Sequence, residues 1–584
     1  MQNLRKLSRF VRPYLKESIY ALVLLTAVVV MDLAIPRLIQ RIVDQGITPG
    51  DLDVVVSTTI WMLVISLVST VFAIGNNYLS VRAGEGFARD LREALYLKIQ
   101  SFSFGNLDRL NTGQLIVRLT SDIAMQQRMT RMFLRIGTRA PLLMIGSLIL
   151  LFSTNTRLAL AILPVLLVTT AVIVFFVTRM GPMFLRIQQK LDQLNMVLQE
   201  NISGVRLIKA FVRAEHENQR FEAANRDFAE TTIRVMQFTA YLFPLLQWLV
   251  NIGIVVIIWV GGLQAIAGDL TIGEIIAFTN YLLTTLTPLA IMAMLSNLVA
   301  SANASAERIV EVLETEPEVQ DAPGSPALPP TIQGRVVFEQ VSFHYNGSCD
   351  QPVLQDINLV AEPGQTVAIL GATGAGKSSL IHLVPRFYDA SRGQVRIDGV
   401  DVRSIQHESL LSQVGVALQE AVLFSGTVRE NICFGKPGAS DEEVVTAAKA
   451  AQAHEFILEL PQGYDTHVNQ RGVNLSGGQK QRISIARALL LQPKILILDD
   501  STSSVDVETE THIQAALDEL MRGRTSFVVA QRISTVLNAD KIIVLDQGRI
   551  AAEGTHQELL RSSPIYQEIY DSQLGNGLAL AASD

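Results

Sequence analysis

"TVAILGATGAGKSSLIHLV", residues 366–384, sets a short apolar strand against a glycine-rich turn and then resumes an apolar pattern at helical spacing. The turn satisfies G-x-x-x-x-G-K-[ST] at 371–378, and the strand–turn–helix setting gives that pattern its physical meaning. Gly371, Gly374 and Gly376 let the backbone curl until its N–H groups face phosphate oxygens, with the start of a helix adding its partial positive charge. Thr373, Ala375 and Ser379 complete the loop, Lys377 is placed to reach the β- and γ-phosphates, and the Ser378 hydroxyl is placed to bind Mg²⁺. From average composition, chance would supply about 0.02 such matches in a chain of this length. The stretch is read as an ATP-binding phosphate loop.

Working outward, short β-rich runs alternate with helical ones: "RVVFEQVSFHY" (335–345), "ILILDD" (495–500), "RTSFVVAQ" (524–531) and "KIIVLDQGRIAAEG" (541–554). That alternation predicts an α/β domain with a largely parallel sheet. Asp499 closes the apolar strand 495–498, where a carboxylate can hold Mg²⁺ through a water. "LSGGQKQRISIARALL" (475–490) places a serine and two glycines at a helix N-terminus, a second surface suited to phosphate. One phosphate loop and one such surface on the same chain suggest a two-chain sandwich, each surface capping the other chain's nucleotide.

The first half has a different character. The 584 residues are 49% hydrophobic and 18% charged, below the roughly 25% charged of soluble proteins. Apolar stretches near 19–39, 55–79, 137–153, 158–179, 242–263 and 274–298 are long enough to cross a bilayer at about 20 residues each. Arg and Lys crowd the N-terminus and the segments 80–136 and 180–236, so the positive-inside rule predicts six spans with both termini and both long loops cytoplasmic. The long loops keep helical periodicity, as in "FARDLREALYLKI" (87–99), and each has an expected tip, at 111–122 and 203–217. The charged start leads into an apolar segment with no small-residue cleavage site, so no cleavable signal peptide is expected. The formal net charge of −7 argues against a nucleic-acid partner, and two cysteines, Cys349 and Cys433, are too few for a disulfide framework or a zinc site. The expected organisation is a helical transmembrane domain at 1–314, with an N-terminal amphipathic helix, then a Pro-rich acidic linker at 315–334. An ATP-binding domain with a helical subdomain follows at 335–574, and 575–584 form a flexible tail.

The phosphate loop, the LSGGQ signature and the aspartate strand, in this order behind a fused membrane domain, resemble one half of an ABC exporter of the heterodimeric multidrug type. The resemblance implies further roles. Tyr345 would stack on adenine, and Gln419 would touch Mg²⁺ together with Ser378 and Asp499. Asp506 would communicate across the dimer. Leu475, Ser476, Gly477, Gly478 and Gln479 would serve the partner's ATP. The two cytoplasmic tips would be coupling helices. Three positions depart from the family pattern. Asp500 stands where the catalytic glutamate belongs and Gln531 where the switch histidine belongs, and Gln470 replaces a glutamate that faces the coupling helices. Shortening the acid by one methylene withdraws its carboxylate by about 1.5 Å, and misplacement of roughly 1 Å can cost on the order of 100-fold. Glutamine can hydrogen-bond a γ-phosphate but cannot titrate.

The expectation is a subunit of an ATP-driven heterodimeric exporter in a bacterial cell membrane. It binds ATP at a degenerate site and hydrolyses mainly at the site completed with a homologous half that carries Glu and His. The substrate would be hydrophobic or amphipathic. A homodimer using Asp500 and Gln531 slowly, an ATP-gated regulatory protein and a lipid flippase are the other readings. Asp32 lies inside the first apolar run, where ionisable groups are functional candidates; contact with a cationic substrate and pairing with Arg37 are equally open.

Overall fold

The computed structural model describes residues 2–329, 331–345, 352–499, 521, 523–530 and 533–575. The chain divides into two units: one comprises 1–100 and 113–315, the other 101–112 and 316–584.

The first unit is helical. Five helices among the described residues are long and apolar enough to cross a bilayer: α1 (Arg12–Ile47), α2 (Leu52–Gln100), α4 (Thr112–Thr154), α5 (Thr156–Ser203) and α7 (Ala214–Ile266). The short helices α3 (Phe104–Arg109) and α6 (Val205–Ala210) stand between them, and α8 (Ile272–Glu314) carries the sixth predicted span. Leu63, Leu67, Ile74 and Tyr78 on α2 are exposed, the pattern of a helix whose apolar face meets lipid. Inside, Val29, Leu33, Leu158, Ile162, Ile257, Phe278 and Tyr281 form a buried core. Buried polar groups join the helices: Asn76 Nδ2 donates to Ala21 O at 2.8 Å, Tyr281 Oη donates to Leu33 O at 3.1 Å, and the Ser147 and Thr285 hydroxyls bond at 2.8 Å. Such bonds are individually worth only about 0.6 kcal/mol in lipid, yet they fix rotation about each helix axis. Asn155 caps α5 by accepting from Leu158 N, and its amide donates to Gln264 Oε1, which sets the tight α4–α5 turn.

Two local expectations are corrected. The break before α4 falls at 101–111, not 111–122: Ser103 and Asn106 form a reciprocal capping box that opens α3, and α4 already runs from Thr112. The second break, at Gly204, separates α5 from α6 within the expected 203–217. Asp32 does not pair with Arg37; it accepts from Arg139 at 2.8 Å, whereas Arg37 donates to Gln40.

The second unit contains the α/β sheets. One sheet has the order β2–β1–β4–β5, from Leu354–Ala361, Val336–Phe343, Arg392–Ile397 and Val400–Asp401. The six-stranded sheet runs β12–β11–β3–β10–β9–β6, where β3 is Thr366–Gly371, β6 Val414–Ala417, β9 Ile495–Asp499, β10 Thr525–Val529, β11 Lys541–Asp546 and β12 Arg549–Gly554. Pairings from β11 to β6 are parallel, and only β12 runs antiparallel. β9 and β10 are buried along their whole length, as expected of strands covered on both faces. The ribbon of β7 (Gly426–Thr427) and β8 (His467–Val468) completes the strands.

The Pro-rich segment after α8 is anchored to this second unit. Arg386 donates to Gln320 O and pairs with Asp321, Leu328 N donates to Ser409 Oγ, and Leu328 and Ile332 enter the core.

Candidate functional site

Parallel strands present their C-terminal ends on one edge, and ligands in such sheets gather there. β3 and β9 flank β10, so the loop after β3 and the last residue of β9 come side by side. Gly371 (φ 152°) ends β3 where a Cβ would run into Leu545 O on β11; Gly376 (φ 99°) has Leu354 Cδ2 2.8 Å and Val353 O 3.0 Å from the place of a Cβ. The loop keeps its shape because nothing larger fits. Ala375 is buried, and Lys377 Nζ donates to Gly371 O at 2.8 Å and to Ala372 O at 2.9 Å. α9 (Lys377–His382) carries Ser378, whose Oγ donates to Asp499 Oδ1 at 2.9 Å across 121 residues of sequence.

A cavity of about 320 Å³ lies over this junction, lined by Tyr345, Thr373, Gly374, Gly376 and Lys377, with Ser378, Ser379, Gln419 and Asp499 closing it. Nine of the residues singled out from sequence therefore share one space. Tyr345 stands two residues beyond the end of β1 rather than in it; its hydroxyl bonds Ser379 Oγ at 2.9 Å and its ring packs edge-on against Phe343 and Tyr388. Asp500, Asp506, Gln531 and Cys349 lie outside the described residues.

The electrostatics single out Asp499. It is 2% exposed, and burial pushes its carboxyl above the ordinary range, against the opposing pull of the Ser378 hydrogen bond, His382 and Lys377. The cost of burying this carboxylate outweighs the charge that Lys377 offers it, and a bound cation would offset the remainder. Oxygen donors of this kind suit Mg²⁺, so the residues present fit that ion. His382 was missed by sequence reading. Its Nε2 lies 3.5 Å from Asp499 Oδ2 and makes no hydrogen bond, and burial pushes the imidazole below its ordinary value. The available signal was spacing, four residues after Ser378 and hence on the same helical face.

The signature forms a separate site. Ser476 caps α10 (Gly477–Leu490): its hydroxyl accepts from Gln479 N at 3.2 Å while its own N–H donates to Gln479 Oε1 at 2.9 Å. Leu475 is buried beneath, whereas Ser476 and Gly477 are exposed. None of 475–479 lines the cavity over the phosphate loop. Just before it, Gln470 opens a single helical turn, Gln470–Gly472.

A third cluster belongs to the same unit. The ring of Phe104 on α3 stacks on Phe387 with centroids 4.2 Å apart, and Tyr388 Oη donates to Asp108 Oδ2 at 2.7 Å. Asn106 Nδ2 donates to Glu316 O at 3.0 Å, its Oδ1 accepts from Glu318 N at 3.0 Å, and Arg109 pairs with Glu318. Burial and Asp108 together push the Tyr388 phenol well above its ordinary value, which keeps it a donor. Phe387 and Tyr388 directly follow α9 and its loop, so α3 rests on the element that leads out of the phosphate loop. Phe104→Ala is expected to weaken this packing by about 1 kcal/mol, the worth of an aromatic pair beyond its buried area. A thermal melt of the full chain checks this.

Comparison with known proteins agrees with the geometry. Residues 18–289 match the ABC transporter transmembrane region, and residues 354–503 match the ABC transporter family. The chain is 38% identical over 490 residues to an ATP-dependent lipid A-core flippase of Syntrophus aciditrophicus, covering 84% of this chain and 81% of that one. It is 35% identical to a Staphylococcus aureus ATP-binding/permease protein named for multidrug export, covering 98% of this chain and all of that one. A solved bacterial Atm1-family ABC exporter with ATP bound superposes with a TM-score of 0.80 at 27% identity, covering 96% of this chain and 99% of that one.

Proposed function

The chain belongs to the ABC transporters, as a half-transporter of exporter type with one transmembrane region and one ATP-binding domain, and from that premise we propose that it is the degenerate-site subunit of a heterodimer. It moves hydrophobic or amphipathic compounds outward across a bacterial cell membrane through six spans, with both termini cytoplasmic. The proposed domain bounds are 1–314, 315–334, 335–574 and a tail at 575–584, with residues 101–112 grouping by contacts with the second unit. One observation carries this reading. The ATP-holding parts, from Tyr345 through the phosphate loop to Asp499, converge on one cavity, while the sequence places Asp500 and Gln531 where hydrolysis needs Glu and His.

Bound there, Mg²⁺ would neutralise phosphate charge, with Ser378, Gln419 and Asp499 as its holders. Lys377 meets the β- and γ-phosphates, loop N–H groups cradle them, and Tyr345 stacks on adenine once its ring turns from Phe343. Asp500, one methylene short, does not bring its carboxylate to the attacking water, and Gln531 offers a neutral hydrogen bond. Ser476 and the first N–H groups of α10 face outward, free to complete the partner's site. ATP binding then draws the two ATP-binding domains together and opens the spans outward. Hydrolysis at the partner's loop resets them, with Asp506 in the loop that joins the two sites.

The test is ATPase activity of the full chain alone, with its co-expressed partner, and as Asp500→Glu with Gln531→His. The wild-type chain alone is expected to be nearly inactive. The double variant should gain activity on the order of 100-fold, the reverse of the misplacement cost. Full-rate hydrolysis by the wild-type chain alone would refute the asymmetric assignment and favour a working homodimer. An ATP-gated regulator would instead bind ATP and respond structurally, with no sustained turnover even in the two-chain complex.

A further inference from the structure

The first unit holds an open cavity of about 800 Å³ between α4 and α8. Its α4 wall runs Arg128, Met132, Ile136, Arg139 and Leu143, and α8 contributes Pro288, Leu295 and Leu298. Steps of four, four, three and four residues keep that wall on one helical face. The lining is mostly apolar, with the two guanidinium groups 11 residues apart, about 16 Å along the helix.

Their surroundings differ. Arg139 is neutralised by Asp32, 2.8 Å away. Asp32 is thereby engaged with a cation already, and the cationic-substrate role open to it in the sequence does not fit the observed pairing. Arg128 has no acidic partner among the described residues. None of the side chains lining the cavity is an acid, and Glu85, Asp122 and Glu311, on this and other helices of the unit, are paired with Arg131, Arg308 and Arg118. The cavity wall therefore carries one uncompensated positive charge next to an apolar surface.

We propose that this cavity binds an amphiphile with a single acidic head, phosphate or carboxylate. Arg128 holds the head, and the chain lies along Met132, Ile136, Leu143 and Leu295. A guanidinium presents a planar fork of donors that suits both head groups. This names the substrate class of the exporter proposed above and rests on that reading. Binding can nevertheless be measured without transport, so the two fail separately.

The experiment is native mass spectrometry of the detergent-purified full chain, titrated with dodecyl phosphate and with dodecyltrimethylammonium. Dodecyl phosphate is expected to bind at least about 10-fold more tightly. Arg128→Gln should remove about 10-fold of that affinity and Arg128→Lys less, in line with a charge-assisted hydrogen bond, whereas Asp32→Asn, which frees Arg139, should not weaken binding. Competition by phosphatidic acid would identify a membrane lipid as the source of the head group. Binding of dodecyl phosphate without that competition would identify a non-lipid acidic amphiphile, and both results support the site. Equal or tighter binding of the cation, or an Arg128→Gln variant with unchanged affinity, overturns it. Retained ATP hydrolysis by the two-chain complex in that case leaves the transporter reading standing.

Discussion

Ser476→Arg in this chain is expected to lower ATP hydrolysis by the two-chain complex by roughly 100-fold or more, the scale on which loss of one preorganised donor to a developing anion acts. Ser476 holds the start of α10 through its reciprocal bonds with Gln479. Arginine has no acceptor with which to cap Gln479 N, a loss of about 1 kcal/mol, and its cation sits badly at the positive end of a helix. Its bulk also fills the space that the partner's γ-phosphate would enter. Lys377→Ala is the matched control, since it damages the phosphate loop this chain carries. If hydrolysis belongs to the site completed by Ser476, Lys377→Ala leaves more activity than Ser476→Arg. Phosphate release from the purified complex decides the order, and the opposite ranking would place hydrolysis at the loop of this chain.

Asp499→Asn is expected to have two effects of opposite sign. Without nucleotide at neutral pH it should raise the melting temperature of the full chain, and it should abolish the further rise that Mg-ATP gives through this chain's own site. The first effect follows from burial. The folded carboxyl is pushed above its unfolded value, so the folded state takes up protons that the unfolded state has released. That contribution is fully present below the unfolded value of about 3.9 and is lost as pH rises through the higher folded one. At pH 7 the buried charge therefore weighs against folding, and the neutral amide removes it while still accepting from Ser378. The second effect follows because an amide gives Mg²⁺ no charge to neutralise. Thermal melts at pH 5 and pH 7, with and without Mg-ATP, check both. A wild-type chain more stable than Asp499→Asn at pH 7 without nucleotide would show that Lys377 and the Ser378 hydrogen bond compensate the charge fully.

What could be read from sequence was what chemistry confines to adjacent residues. The phosphate loop needs its glycines at fixed offsets, and Asp499 had to end an apolar strand. The signature needed a capping residue ahead of two glycines. All three are found where their spacing put them. Contacts that close over long stretches were not legible. Arg37, five residues from Asp32, was a sensible local partner, but helix packing brought in Arg139, which is 107 residues away. The first tip was placed too late because helical periodicity continues smoothly through 112–122. The better signal, Ser103 followed three residues later by Asn106 across Gly105, is the spacing of a capping box. The Pro-rich segment at 315–334 read as a simple tether from its composition, whereas Arg386 and Ser409, far along the chain, fix it in place.

The attachment of α3 to the second unit has a consequence for biosynthesis. Asp108 and Tyr388 are 280 residues apart, so the ribosome finishes α3 long before its binding surface exists. At about 5–20 residues per second, the interval is roughly 15 to 55 seconds. For that time Phe104 and its neighbours wait without their stacking partner. A fragment begun at residue 316 would have the reverse defect, leaving Phe387 and Tyr388 uncovered. Supplying residues 101–112 as a separate peptide should then make it less prone to aggregate.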